Sequence, residues 1–203
     1  MSTKVFDVVI IGGGQAALAV GYFLKRAKLD FIILDNQGRP GGAWQHTWDS
    51  LRLFSPAAYS SLPGIMMQQD DDTKGYPHRD NVLAYLARYE QHYALPVYRP
   101  HQVSSVTREE DNNCLRVSGG KYQWRARTVA SATGTWSHPY VPDYPEQEKY
   151  RGKQLHSADY RTPDDFRDQR VLVVGSGNSG AQIFAEVAEV ADATWVTQSE
   201  PVF

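Results

Sequence analysis

The 203-residue chain sets 21 Lys and Arg against 23 Asp and Glu, for a formal net charge of −2. That balance gives no reason to expect nucleic acid or an acidic membrane surface as a partner, and Cys114, the single cysteine, excludes an intrachain disulfide and a redox thiol pair. No apolar run approaches the roughly 20 residues of a membrane span, and the start lacks a signal peptide's charged segment and cleavage site, so a soluble, cytoplasmic protein is expected.

Lys4 to Ile11 is nearly continuously apolar and reads as a parallel strand buried on both faces. A helix is predicted from Gln15 to about Lys28, with Leu18, Tyr22 and Lys25 sharing a face and Ala17 and Gly21 small enough to pack closely on the strand. Phe31 to Asp35 is the next strand. From Ala43 to Pro77 the chain is mostly irregular, a stretch whose length points to a binding region. Asn81 to about Tyr93 reads as a helix with Val82, Leu86, Tyr89 and Tyr93 inward. Strands are predicted at Val97 to Thr107, Cys114 to Val117, Tyr122 to Arg127 and Val129 to Ala132, with a hairpin through Ser118-Gly119-Gly120-Lys121. Pro139, Pro142 and Pro145 mark a crossing to a second strand–helix–strand unit over Arg170 to Thr197. That unit has fewer strands than a complete dinucleotide domain, so the chain end reads as a truncation. The fold class expected is α/β with two Rossmann-like dinucleotide-binding units, the second incomplete.

Each unit carries a glycine fingerprint between a strand and a helix. The first is Gly12-x-Gly14-x-x-Ala17 after Val8-Val9-Ile10-Ile11; the second is Gly175-x-Gly177-x-x-Gly180 after Val171-Leu172-Val173-Val174. The glycines allow a tight turn and close backbone approach to a pyrophosphate, and the helix N-terminus offers N–H groups to the anion. Asp35 stands 23 residues after Gly12, where an acid accepts from ribose hydroxyls, and the same spacing from Gly175 lands on Gln198. The equal spacing reads as a repeat of one architecture. Gln198 and Ser199 are neutral hydrogen-bonders, neither the arginine that pairs with a 2′-phosphate nor the acid that repels it, so NADH is expected to be accepted, with or without NADPH.

In order along the chain, the first loop, Gly41-Gly42-Ala43-Trp44, Ala132-Thr133-Gly134, Tyr150-x-Gly152-x-x-x-His156-x-x-x-Tyr160 and the second loop resemble the flavin-containing monooxygenases, especially the bacterial ones. The resemblance implies an FAD-binding domain at 1–145 with an inserted β-meander and the start of an NAD(P)H-binding domain at 146–203. It implies FAD on Gly12, Gly14, Gln15 and Ala16, on Asp35 and Asn36, on Gly42, Ala43, Trp44 and His46, on Val103, and on Ala132, Thr133 and Gly134. NADPH or NADH would lie on Gly175, Gly177, Asn178, Ser179, Gly180, Gln198 and Ser199. The implied reaction passes hydride to flavin, adds O2 to give a flavin hydroperoxide, and oxygenates a small sulfide, amine or ketone; no side chain need act as a nucleophile. A homodimer is compatible with the resemblance. Three departures stand out. Phe54 occupies the position of the family's Asn in Ser50-Leu51-Arg52-Leu53-Phe54, Gln198 replaces the nicotinamide-site Arg, and the chain is shorter than family members.

These departures leave two alternatives open, an NAD(P)H oxidase or flavin reductase that returns peroxide, and a non-catalytic FAD-binding fragment. Disulfide reductases share the two-loop plan but need a cysteine pair. Trp44 reads as flavin pocket or core, His156 as a structural histidine at a unit junction, and Asn178 and Ser179 as phosphate donors or helix caps. Tyr76-Pro77 reads as a helix lead-in and Asp70-Asp71-Asp72 as a solvated loop. His78, His92 and His101 show no metal-ligand pattern.

Overall fold

A computed structural model describes residues 4–69, 75–109 and 113–200, so the acidic run Asp70-Asp71-Asp72 lies outside the described residues. Eight strands and three helices are present among them: β1 (Val5–Ile11), α1 (Gln15–Arg26), β2 (Phe31–Leu34), α2 (Arg79–His92), β3 (Val97–Tyr98), β4 (Ser105–Arg108), β5 (Leu115–Gly119), β6 (Tyr122–Ser131), β7 (Arg170–Val174), α3 (Asn178–Val187) and β8 (Asp192–Val196). The first six strands form one sheet in the order β3-β2-β1-β6-β5-β4, and β7 and β8 form a separate parallel pair. The mixed α/β class expected from the sequence is the one observed.

β1 lies at the centre because its side chains are apolar on both faces. Val8 and Ile10 enter one core with Leu18, Ile33, Val82, Leu86 and Tyr89, while Phe6 and Val9 enter another with Ile32, Leu34, Val117 and Ala126. Gly21 lets α1 approach the sheet, since a Cβ there would sit 3.1 Å from Ile33 Cδ1. Lys25, on the face assigned to packing, uses its ammonium to close the end of α2, donating to the carbonyls of Tyr93 and Ala94. Cations suit a helix C-terminus, where carbonyls lack intrahelical partners.

The meander differs from expectation in two ways. Val97 to Thr107 is not one strand. β3 and β4 occupy opposite ends of the strand order, and Pro100, with no N–H to donate, falls in the segment that crosses between them. Conversely, Tyr122 to Ala132 is not two strands: β6 is a single ten-residue strand. Its first half pairs antiparallel with β5 and its second half parallel with β1, with Thr128 in register with Val8. The hairpin is as read, Gly120 taking φ +57° between Gly119 and Tyr122.

Among its described residues, the segment between β2 and α2 contains two short 3-10 turns, Gly42–His46 and Ala57–Tyr59, and one bridge, Arg52 to His78. Its irregular backbone is held by buried hydroxyls on α2. The Leu62 N–H donates to the Tyr85 oxygen at 2.6 Å, and Tyr85 and Tyr89 donate to the carbonyls of Ile65 and Pro63. Pro77 is fully buried just ahead of α2, and its carbonyl accepts from the Leu53 N–H.

A third cluster, of Trp48, Leu51, Tyr160, Ile183 and Val187, joins this segment to α3. No described helix is long and apolar enough to cross a membrane.

Candidate functional site

Three backbone segments converge at the end of β1 with no room for side chains. Gly12 has φ +105°, and a Cβ on it would meet the Ala132 carbonyl oxygen at 2.4 Å. A Cβ on Gly42, at φ +55°, would lie 2.7 Å from Gly14 Cα. The Ala132 N–H donates to the Ile11 carbonyl, so β6 delivers Ala132 and Thr133 to the loop. Gly14 caps α1 without a side-chain bond, and the helix carries no acid in its first turn. Glycine is the residue that permits both the positive φ and the approach. The result is a cradle of main chain ahead of a helix N-terminus, which suits an anion.

Asp35 lies under this cradle. A Cβ on Gly13 would sit 2.2 Å from Asp35 Oδ2, and Asp35 is 2% exposed. Its carboxylate accepts from Arg99 Nε at 2.6 Å and from the Gln37 N–H at 3.2 Å. Arg99 in turn makes a two-pronged pair with Glu90 on α2, at 2.7 and 2.8 Å. Burial lowers the Arg99 guanidinium, but the bonds to Glu90 and Asp35 outweigh it and hold the group above its ordinary value. Arg99 gave no sequence signal, because nothing in its neighbourhood announces a partner 64 residues away.

The remaining first-loop candidates gather around this centre. Gln15 and Ala16 are exposed on the first turn of α1, and Gln15 accepts from Trp44 Nε1 at 3.3 Å. Ala43 is exposed beside them. His46 Nε2 and Gln37 Oε1 are 2.8 Å apart, and Asn36 Nδ2 donates to Gln102 Oε1 at 3.1 Å. Val103, next to Gln102, packs against the core containing Val9 and Leu34. Gly134, at φ +63°, follows Thr133 in the open. Trp44 serves both readings: it bonds Gln15 and packs against two cores. Phe54 is 67% exposed.

The second loop repeats the strand–turn–helix construction but not the crowding, since a Cβ on Gly175 or Gly177 would meet nothing within 4 Å. Gly175 has φ +132°, its N–H donates to the Val196 carbonyl, and a Cβ on Gly180 would meet the Gly175 oxygen at 2.7 Å. That oxygen also accepts from Trp195 Nε1 at 2.8 Å. Gly177 is the N-cap of α3, so Asn178 and Ser179 lie inside the helix and do not cap it.

The repeat is offset by one residue. Ile11 pairs with Leu34, but Val174 pairs with Val196, so Thr197, not Gln198, stands where Asp35 stands in the first unit. α3 has ten residues where α1 has twelve, and equal counting along the chain therefore overshoots. Gln198 is still brought to the loop, its N–H donating to Ser176 Oγ at 3.1 Å, and Ser199 gives its carbonyl to Thr197 Oγ1.

His156 accepts from the Ala158 N–H through Nδ1, capping a short turn, which is a structural role. Among the described residues, no cluster of three His, Cys, Asp or Glu gathers as for a metal.

Residues 9–202 match the profile described as pyridine nucleotide-disulphide oxidoreductase. A protein of Geobacillus kaustophilus named uncharacterized oxidoreductase CzcO-like is 38% identical over 91% of this chain and 52% of its own length. Indole-3-pyruvate monooxygenase YUCCA4 of Oryza sativa subsp. japonica is 32% identical over 89% of this chain and 45% of its own. The solved structure of a flavin-containing monooxygenase from Stenotrophomonas maltophilia superposes with a TM-score of 0.93 at 54% identity, covering 99% of this chain and 60% of that one. The chain thus spans about half to three-fifths of the length of these relatives.

Proposed function

The chain belongs to the pyridine nucleotide-disulphide oxidoreductase family, and from that premise we propose that it is the cofactor-binding half of a flavin-dependent monooxygenase. The observation that carries the reading is the main-chain cradle of Gly12, Gly14, Gly42 and Ala132 over buried Asp35, followed later in the chain by a second strand–glycine–helix turn at Gly175. The similar flavin-containing monooxygenase supports placing FAD at the first loop. When bound, FAD supplies two-electron redox chemistry and reaction with O2, and NAD(P)H at the second loop supplies the hydride.

The residues present fit these groups. The amides ahead of α1 and α3 would hold pyrophosphates, and Asp35 and Asn36 would take the ribose end of FAD. Trp44, tied to Gln15, and His46, tied to Gln37, would wall the first site. Gln198 and Ser199 would meet the nicotinamide dinucleotide without a fixed charge. NADH is then accepted alongside NADPH, and a preference for NADPH above about a hundredfold in kcat/KM would overturn that point. The substrate class that this chemistry serves is a small sulfide, amine or ketone.

The test is the visible spectrum of the purified protein, followed by anaerobic reduction with NADH and NADPH. Oxidised-flavin bands that bleach with nicotinamide support the reading, and a colourless protein that takes up no FAD refutes it. A second reading, an oxidase that returns peroxide, is favoured by Phe54, which offers no hydrogen bond and is 67% exposed. The ratio of oxygenated product to NAD(P)H consumed separates the two.

A further inference from the structure

Glu186 has no place in either cofactor loop, yet three donors from two other parts of the chain converge on it. Its Oε1 accepts from Trp48 Nε1 at 3.2 Å and from Ser50 Oγ at 2.7 Å, and its Oε2 accepts from the Tyr160 hydroxyl at 2.8 Å. Gln182, one turn earlier on α3, accepts from the Arg52 N–H at 3.4 Å. Residues four apart share a helix face, and beside this pair Ile183 and Val187, also four apart, bury against Trp48, Leu51 and Tyr160. The Trp48 and Tyr160 rings meet edge to face at 5.5 Å, and each residue is 2% exposed. The Trp48 and Tyr160 bonds to Glu186 are part-buried, and the Ser50 bond lies at the exposed rim. A carboxylate is acceptor-only, with capacity for several donors, which suits this convergence.

The placement of these groups gives the contact its meaning. Trp48 and Ser50 follow directly on the segment that carries Gly42, Trp44 and His46 at the first loop. Glu186 sits two turns along the helix whose start, Gly177 and Asn178, forms the second loop. Tyr160, the last residue of the junction motif, holds the crossing chain to the same carboxylate. Burial pushes its phenol far up, with the Glu186 bond adding to the shift, so it keeps its proton and donates throughout the neutral range.

We propose that Glu186 is a positioning residue: its carboxylate gathers Trp48, Ser50 and Tyr160 so as to fix α3, and with it the second glycine loop, relative to the first. The clamp stands on the geometry alone; its consequence for hydride transfer rests on the two-cofactor reading above.

The test places spin labels at Gln91→Cys on α2 and Ala188→Cys at the end of α3, both exposed positions, with Cys114→Ala. Distance distributions are recorded with the native Glu186, with Glu186→Ala and with Glu186→Gln. The expected result is one narrow distance for the native residue, a broadened or shifted distribution for Glu186→Ala, and recovery in Glu186→Gln, whose amide oxygen still accepts from Trp48 and Ser50 while its N–H2 donates to the Tyr160 oxygen. FAD affinity stays within about twofold in all three, while the limiting rate of flavin reduction falls at least about tenfold in Glu186→Ala, because small misplacements of reacting groups are costly. A distribution in Glu186→Ala as narrow as the native one overturns the proposal. Should that variant fail to fold, Ser50→Ala and Tyr160→Phe each remove one donor, and an unchanged distribution in both overturns it equally. If the distances respond but NADH and NADPH reduce no flavin in the unmutated protein, the clamp is supported and the functional reading falls.

Discussion

Replacing Arg99 with methionine tests the sheltered ion triad beneath the first loop. The guanidinium lies between two carboxylates, 2.6 Å from Asp35 and 2.7 Å from Glu90, and the three side chains are 11%, 3% and 16% exposed. Methionine keeps the apolar stem but leaves two sheltered negative groups facing the gap. Removing one partner from a buried pair costs about 3–5 kcal/mol, and in a chain of this size each kcal/mol moves Tm by about 2–4 °C. Arg99→Met should therefore melt on the order of 10 °C lower at pH 7 by circular dichroism. A gap under about 3 °C would show that the pair contributes little and that Asp35 is held by packing alone.

The loops and the tyrosines supply the other tests. Gly42→Ala places a methyl 2.7 Å from Gly14 Cα at φ +55°; a clash of about 1–3 kcal/mol should weaken FAD binding roughly tenfold to a hundredfold in a flavin fluorescence titration. Gly180→Ala drives a methyl into the Gly175 oxygen at 2.7 Å and should raise the Kd for NADH about tenfold by the same cost, with FAD affinity unchanged. Burial raises the phenols of Tyr85, Tyr89 and Tyr160. The folded state then keeps protons that unfolded tyrosines lose near pH 10, so stability should hold below that pH and fall above it. Tyrosinate absorbance of these three residues should appear only with unfolding.

The parts legible in the sequence were those fixed by local pattern. The continuous apolar runs of β1, β2 and β7 and the glycine turns after them are short-range signals, and each element was found within a few residues of its place. Asp35 was located by counting because β1, α1 and β2 form one compact unit. Counting overshoots by one residue in the second unit, since helix length is set by packing against the strands and not by the fingerprint. The split between β3 and β4 was hidden because Val97 to Thr107 has strand-like composition on both sides of Pro100, and which edge each piece joins is a tertiary matter. Arg99 and Glu186 were invisible for the same reason. Each is an ordinary charged residue locally, and acquires meaning only from partners far along the chain.

The two-sided pairing of β6 bears on the order in which the molecule is made. The β5–β6 hairpin closes over a few residues and needs only chain already synthesised beside it. The pairing of β1 with β6 joins Val5 to Arg125 and Ile11 to Ser131, contacts of long sequence separation that form slowly and late. The turn at Gly12 leans on the Ala132 carbonyl. A ribosome that has released β1, α1 and β2 has therefore delivered the fingerprint but not the cradle, which closes only after Thr133 has emerged. Pauses or truncations before that point should yield nascent chains that carry the glycine motif and retain no flavin.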